Sequence, residues 1–116
     1  MHELSVCRSL LAEVERVARV NHAERVVTVS VRVGPLSGVD AGLLAQAFTI
    51  ARGGGVAETA ELVVEASPLR VRCRECAAES DATMIRFVCG VCGGWHTDLV
   101  SGDELTLMRV ELLDAG

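Results

Sequence analysis

The chain has 116 residues, half of them apolar and under a quarter charged, with sixteen acidic residues against eleven basic ones. This composition fits one globular domain, or one small domain carrying a smaller insert, and excludes an intrinsically disordered chain. A net charge of −5, with every basic residue an Arg, argues against non-specific nucleic-acid binding, which needs surplus positive charge to neutralise phosphates.

The first predicted element is an amphipathic helix over residues 4–20. Leu4, Cys7, Leu11, Val14 and Ala18 recur at helical spacing, and Val6, Leu10 and Val17 widen the stripe. Cys7 lies on that stripe and reads as a small buried core residue. Residues 25–33 then switch to a period of two: Val27, Val29, Val31 and Val33 are expected on the buried face, with Thr28, Ser30 and Arg32 opposite. Gly34-Pro35-Leu36-Ser37-Gly38 is a turn. Asp40 is a suitable N-cap for a second helix over roughly 41–52, whose apolar positions are Leu43, Leu44, Ala47, Phe48, Ile50 and Ala51. Gly53-Gly54-Gly55 stops it. A second strand covers 60–66 and ends before Pro68; a third covers 104–113 and is expected to rejoin the first two. The predicted fold is α+β: two helices on a small three-stranded sheet, with an inserted four-cysteine, zinc-ribbon-like domain. The expected domains are residues 1–68 with 100–116, and the insert 69–99.

The longest uncharged runs, Ala41–Ala51 and Phe87–Thr97, have eleven residues each, whereas a membrane-spanning helix needs about 20. No membrane association is expected. The opening, with Glu3 ahead of the apolar stripe and Glu13 and Glu15 soon after, does not read as a secretory signal. The expected compartment is the cytoplasm, where five cysteines point to metal or redox chemistry before disulfides.

Four of those cysteines lie in the insert as Cys73-Arg-Glu-Cys76 and Cys89-Gly-Val-Cys92, two C-x-x-C pairs separated by twelve residues. Each pair can wrap two thiolates around one ion, and a hairpin between them brings the pairs together into a tetrahedral sulfur site. The segment has only Ile85, Phe87, Trp95 and a few small residues for a core, so metal is expected to support its folding. Zinc is the default occupant, iron in a rubredoxin-like site the competitor. A closed set of four thiolates leaves no open position, which makes the site structural. His96 is expected to be solvated or hydrogen-bonded beside it.

At the other end, Met1-His2-Glu3 comes directly before the predicted first helix. An α-amine, the His2 amide nitrogen and the His2 imidazole can form fused five- and six-membered chelate rings, with the Glu3 amide or carboxylate as a fourth donor. Planar, nitrogen-rich sets of this kind suit Ni(II) or Cu(II); the alternative reading of a lone His at this position is an exposed side chain near a frayed terminus.

Met1-His2-Glu3-Leu4-Ser5-Val6-Cys7 followed by Leu10-Leu11 resembles the opening of the HypA/HybF family of hydrogenase nickel incorporation proteins. The resemblance continues through Val33-Gly34-Pro35-Leu36-Ser37-Gly38-Val39, the two cysteine pairs and Ser101-Gly102-Asp103-Glu104-Leu105. It implies a nickel metallochaperone for [NiFe]-hydrogenase maturation. Met1, His2 and Glu3 would hold nickel as transferable cargo, with His2 the essential ligand, and Cys73, Cys76, Cys89 and Cys92 would hold structural zinc. The implied partners are the maturation GTPase HypB and the hydrogenase large-subunit precursor, with the chain itself a monomer or weak homodimer. Two features depart from the family pattern. Gly53-Gly54-Gly55 is unusually glycine-rich and is expected to loosen the connection after the second helix, and the histidines that often flank the second cysteine pair are reduced to His96.

No nucleotide-binding loop or catalytic Ser/His/Asp set stands out, so the chain reads as a non-enzyme. The alternative reading is a zinc-ribbon interaction or nucleic-acid module. In the insert, however, Glu75, Glu79, Asp81 and Asp98 offset Arg70, Arg72, Arg74 and Arg86, and one Phe and one Trp offer little stacking platform.

Overall fold

The computed structural model describes residues 2–114, without the side chain of His2. The elements run α1 (His2–Val20), β1 (Ala23–Val33), α2 (Ala41–Ala51), β2 (Glu61–Ala66), β3 (Arg70–Cys73), β4 (Glu79–Asp81), β5 (Thr97–Ser101) and β6 (Leu105–Asp114). This is the expected α+β chain. One three-stranded sheet has the order β2-β1-β6, so the last strand does rejoin the first. A second sheet, β4-β3-β5, lies inside the cysteine-rich stretch, where the sequence carried too little periodicity to announce strands. The chain divides into two compact units. One comprises Met1–Arg32, Val39–Glu65 and Thr106–Gly116, the other Val33–Gly38 and Ala66–Leu105.

In the first unit, α1 begins at His2, two residues before the predicted start, so His2 and Glu3 belong to its first turn. An acidic residue there complements the positive end of the helix dipole. The predicted stripe buries Cys7, Leu10, Leu11, Val14 and Ala18. Asp40 caps α2 as expected: its backbone is extended and its Oδ1 accepts from the Leu43 amide at 2.9 Å. Helices α1 and α2 pack on one another, but only Leu44, Ala47 and Phe48 of α2 are buried. Leu43 and Ile50, expected in the apolar stripe, are 49% and 76% exposed. They fall on the flanks of a narrow contact face that one turn-spaced trio already fills.

The β1 pattern needs one correction. Val29, Val31 and Val33 are buried as predicted, but Val27 is exposed and Val26 takes its place inside. The alternation slips by one residue between Val26 and Val29, as at a bulge, and the Val26 amide is held by the Val56 carbonyl at 3.0 Å. The glycine run after α2 is not a loose connection. Gly55 and Glu58 amides donate to Arg52 and Gly55 carbonyls, and the Arg52 guanidinium donates to the Ala60 carbonyl.

In the second unit, β3 pairs antiparallel with β4 on one side and β5 on the other. Three passes of the chain are tied together at its base. The Ser67 amide donates to Val33 O at 2.9 Å, Gly34 N to Glu104 O at 2.8 Å and Leu36 N to Gly102 O at 2.7 Å. Ser101 Oγ donates to Pro68 O at 2.7 Å. A Cβ at Gly34 would stand 2.2 Å from the Gly102 carbonyl oxygen, and Gly102 itself has φ +121 with Leu69 against it. Both positions therefore require glycine, one for space and one for backbone conformation as well.

Gly34→Ala is expected to destabilise the protein by about 1–3 kcal/mol or more, because the clash is with backbone and cannot be relieved by a rotamer change. Gly53→Ala, whose Cβ would meet only an ordinary contact at 3.7 Å, should stay within about 0.5 kcal/mol of the parent. Denaturant unfolding of the two variants checks the contrast.

Candidate metal centre

The four cysteines of the insert come together in the second unit. Cys73 ends β3, Cys76 closes the following turn, and Cys89 and Cys92 bracket a second turn before β5. All four Sγ atoms lie within 4.8 Å of one another. Each pair is folded into a knuckle by its own backbone. Glu75 N and Cys76 N donate to Cys73 Sγ at 3.3 and 3.4 Å, and Val91 N and Cys92 N donate to Cys89 Sγ at the same distances. Ala77, at φ 64, and Gly93, at φ 76, supply the left-handed residue that ends each knuckle. The first cysteine of each pair is a buried residue and the second an exposed one.

Four thiols this close cannot all ionise without a cation. Amide hydrogen bonds from Cys92 and Val91 lower the Cys89 thiol to about 6. The Gly94 amide favours the Cys92 thiolate, but the neighbouring sulfurs of Cys73, Cys76 and Cys89 outweigh it and push that thiol up to about 12. Cys76 is raised as well: the Ala78 amide acts against the rise, and the Cys89 sulfur drives it. A divalent ion removes this conflict by taking the place of the protons. The donor set is all sulfur, four-fold and closed, and it fits a soft or borderline ion in tetrahedral coordination. Cys7, by contrast, is fully buried in α1, and burial raises its thiol.

His96 is not one of this group. Its Nδ1 lies 3.4 Å from Glu75 Oε1 and its ring stacks on Trp95 at 3.9 Å. Glu75 thereby links the first knuckle to the strand that follows the second. Three of the four arginines in the insert are ion-paired: Arg70 with Asp81, Arg72 with Glu79 and Arg74 with Asp98. The first two pairs follow from the β3–β4 register, which sets Arg70 opposite Asp81 and Arg72 opposite Glu79. Their charge is spent within the sheet and forms no basic face.

Of the expected nickel-motif residues, Met1 lies outside the described residues, as does the side chain of His2. Glu3 is described. Its Oε2 accepts from the Asp40 amide at 3.2 Å, which ties the first turn of α1 to the cap of α2. Sequence reasoning identified Asp40 only as a helix cap, because nothing in the local pattern places residues 37 positions apart together. A cavity of about 240 Å³ opens beside this contact, lined by Glu3, Leu4, Leu43, Gln46, Ala47 and Ile50. The exposed Leu43 and Ile50 of α2 therefore form the wall of an apolar groove next to the motif.

Comparison with known proteins covers this whole arrangement. The family described as hydrogenase/urease nickel incorporation, metallochaperone, hypA, matches residues 1–112. The hydrogenase maturation factor HypA of Nitrosospira multiformis is 42% identical over 113 residues, covering 97% of this chain and 98% of its own. That of Aquifex aeolicus is 41% identical, covering 97% of each chain. The solution structure of the Ni metallochaperone HypA from Helicobacter pylori superposes with a TM-score of 0.72 at 28% identity, covering 97% of both chains. With the fold, the cysteine cluster and the near full-length match in agreement, the chain belongs to the HypA family of nickel metallochaperones for hydrogenase maturation.

Proposed function

We propose that this protein binds Ni(II) through Met1, His2 and Glu3 and hands it on for [NiFe]-hydrogenase maturation, while Cys73, Cys76, Cys89 and Cys92 hold structural zinc. The partners would be the maturation GTPase HypB and the hydrogenase large-subunit precursor, acting in the cytoplasm, and the protein itself would catalyse no reaction. The observation that carries the reading is the division of donor chemistry between the two compact units. One holds four sulfurs within 4.8 Å; the other holds the nitrogen-rich motif, with Glu3 in the first turn of α1.

The helical start of α1 supports the nickel assignment. The first four N–H groups of a helix have no carbonyl partner within it. The amides of His2 and Glu3 are thus not committed to the α1 ladder, and a metal able to displace their protons meets no hydrogen bond that must first break. Nickel in a planar field of nitrogen donors has that ability, and deprotonated amides also offset the cost of placing a cation at the positive end of a helix. The Glu3 carboxylate is engaged with the Asp40 amide, which leaves its backbone nitrogen as the natural donor. A terminal site with few donors can release its ion, whereas four thiolates enclose theirs.

In this reading residues 1–68 with 100–116 form the nickel-binding domain, and 69–99 the zinc domain, whose small core needs its ion; the compact units differ from it at the joins, with 33–38, 66–68 and 100–105 falling in the second unit.

His2→Ala is expected to abolish the specific nickel isotherm in calorimetry and leave zinc content and circular dichroism unchanged. Wild-type affinity in that variant would remove His2 from the site. A residue added ahead of Met1 should eliminate the absorption band of a planar site, since it replaces the primary amine with a peptide nitrogen.

Nickel binding should also release protons and weaken as pH falls. An α-amine titrates at about 7.7–8.0 and an imidazole at about 6.5, and both must be neutral to bind. Titration in buffers of differing ionisation enthalpy checks the proton count.

Cys73→Ser should reduce zinc from one equivalent to none and unfold residues 69–99, with α1 and the β2-β1-β6 sheet retained. Loss of the whole fold by circular dichroism would overturn the two-domain reading.

A further inference from the structure

We propose that Cys76 and Cys92 are sites of oxidative modification by a hydroperoxide, each going on to form a disulfide with the buried thiol of the other pair, Cys76 with Cys89 and Cys92 with Cys73. The proposal rests on the reading of the four cysteines as a zinc site and adds to it an order of reactivity and a disulfide pairing.

The cluster is asymmetric. Cys73 and Cys89 are 1% and 2% exposed, and each sulfur accepts two backbone amides. Cys76 and Cys92 are exposed residues. Thiolate sulfur attacks a peroxide oxygen along the O–O axis, so an exposed sulfur reacts and a buried one waits. The Glu75 carboxylate stands beside Cys92: the point a Gly94 Cβ would occupy lies 3.3 Å from Cys92 Sγ and 2.6 Å from Glu75 Oε2, so Glu75 covers one approach to that sulfur.

The second step is set by proximity. Cys76 Sγ lies 3.5 Å from Cys89 Sγ, and Cys92 Sγ lies 3.6 Å from Cys73 Sγ. A disulfide bond is about 2.05 Å long, so each crosswise pair has only to close by a small rotation of the exposed side chain. In the first step the Cys92 thiolate attacks hydrogen peroxide: an S–O bond forms, the O–O bond breaks and hydroxide leaves, giving the sulfenic acid. In the second the Cys73 thiolate attacks that sulfur: the S–S bond forms, the S–O bond breaks and a second hydroxide leaves. Two thiolates are oxidised by two electrons and one peroxide is reduced to two hydroxides. The same balance holds for Cys76 and Cys89. A site that loses two of four thiolates no longer holds its ion. Cys7, fully buried in α1, takes no part.

The test uses the full-length, zinc-loaded, tag-free protein titrated with hydrogen peroxide. Zinc release is followed with a chromogenic chelator, thiols are counted after denaturation, and disulfides are mapped by mass spectrometry. One zinc should be released with the first two thiols lost. The mapped bonds should be Cys73–Cys92 and Cys76–Cys89, and dithiothreitol with added zinc should restore the starting protein. Glu75→Ala keeps all four ligands and removes the carboxylate beside Cys92; it should speed zinc release several-fold and shift the product toward Cys73–Cys92. Zinc retained with all thiols intact at peroxide levels that oxidise a free cysteine peptide would overturn the proposal, as would bonds within the C-x-x-C pairs or an unchanged rate and product in Glu75→Ala. If the freshly prepared protein carries no zinc, the zinc reading itself falls; a zinc-loaded protein inert to peroxide overturns only this inference.

Discussion

Gly34 and Gly102 meet where no side chain fits, and the second unit is built around that meeting. A Cβ on Gly34 would overlap the Gly102 carbonyl, and Gly102 holds a backbone conformation that other residues resist. The close approach lets Gly34 N reach Glu104 O and Leu36 N reach Gly102 O, while Ser67 N bonds Val33 O a few residues away. Three stretches distant in sequence are stitched by backbone groups, which cannot be exchanged for others by mutation. The chain leaves the first sheet after β2 and re-enters it at β6 through these stretches, so the cysteine segment is an excursion with fixed ends.

Within the excursion the fold brings four sulfurs together and leaves them in electrostatic conflict. Backbone amides favour ionisation of Cys89, while crowding holds the proton on Cys92. A divalent ion resolves the conflict, and the knuckle amides hold the buried sulfurs in place for it. Three arginines around the cluster are matched with carboxylates of β4 and β5: Arg70 with Asp81, Arg72 with Glu79 and Arg74 with Asp98.

The proposed nickel motif follows different physics. Its described member, Glu3, opens a helix whose first amides are uncommitted, and its carboxylate is anchored to the cap of α2. Strong, enclosed sulfur ligation suits an ion that stays. A nitrogen-rich terminus suits one that is passed on, and the apolar groove beside Glu3 is walled by Leu43 and Ile50 of α2.

Much of this was legible in the sequence, because its signals are local. The C-x-x-C spacing, the α1 stripe, the Asp40 cap and the period-two run of β1 each depend on residues within a turn or two of one another, and each appears in the structure. The first turn of α1 was misplaced by two residues because an acidic residue ahead of an apolar stripe reads equally as a flanking segment or as a helix start. The slip that buries Val26 in place of Val27 depends on a hydrogen bond to Val56, thirty residues away. Strands β3, β4 and β5 were invisible because their order comes from pairing and cross-strand charges, with little hydrophobic alternation to reveal it. Gly34 is readable as part of a turn, and Gly102 only as part of the family resemblance at residues 101–105. That they touch, that Glu3 reaches Asp40, and that one cysteine of each pair is buried while the other is exposed are consequences of how distant segments pack, and tertiary structure alone decided them.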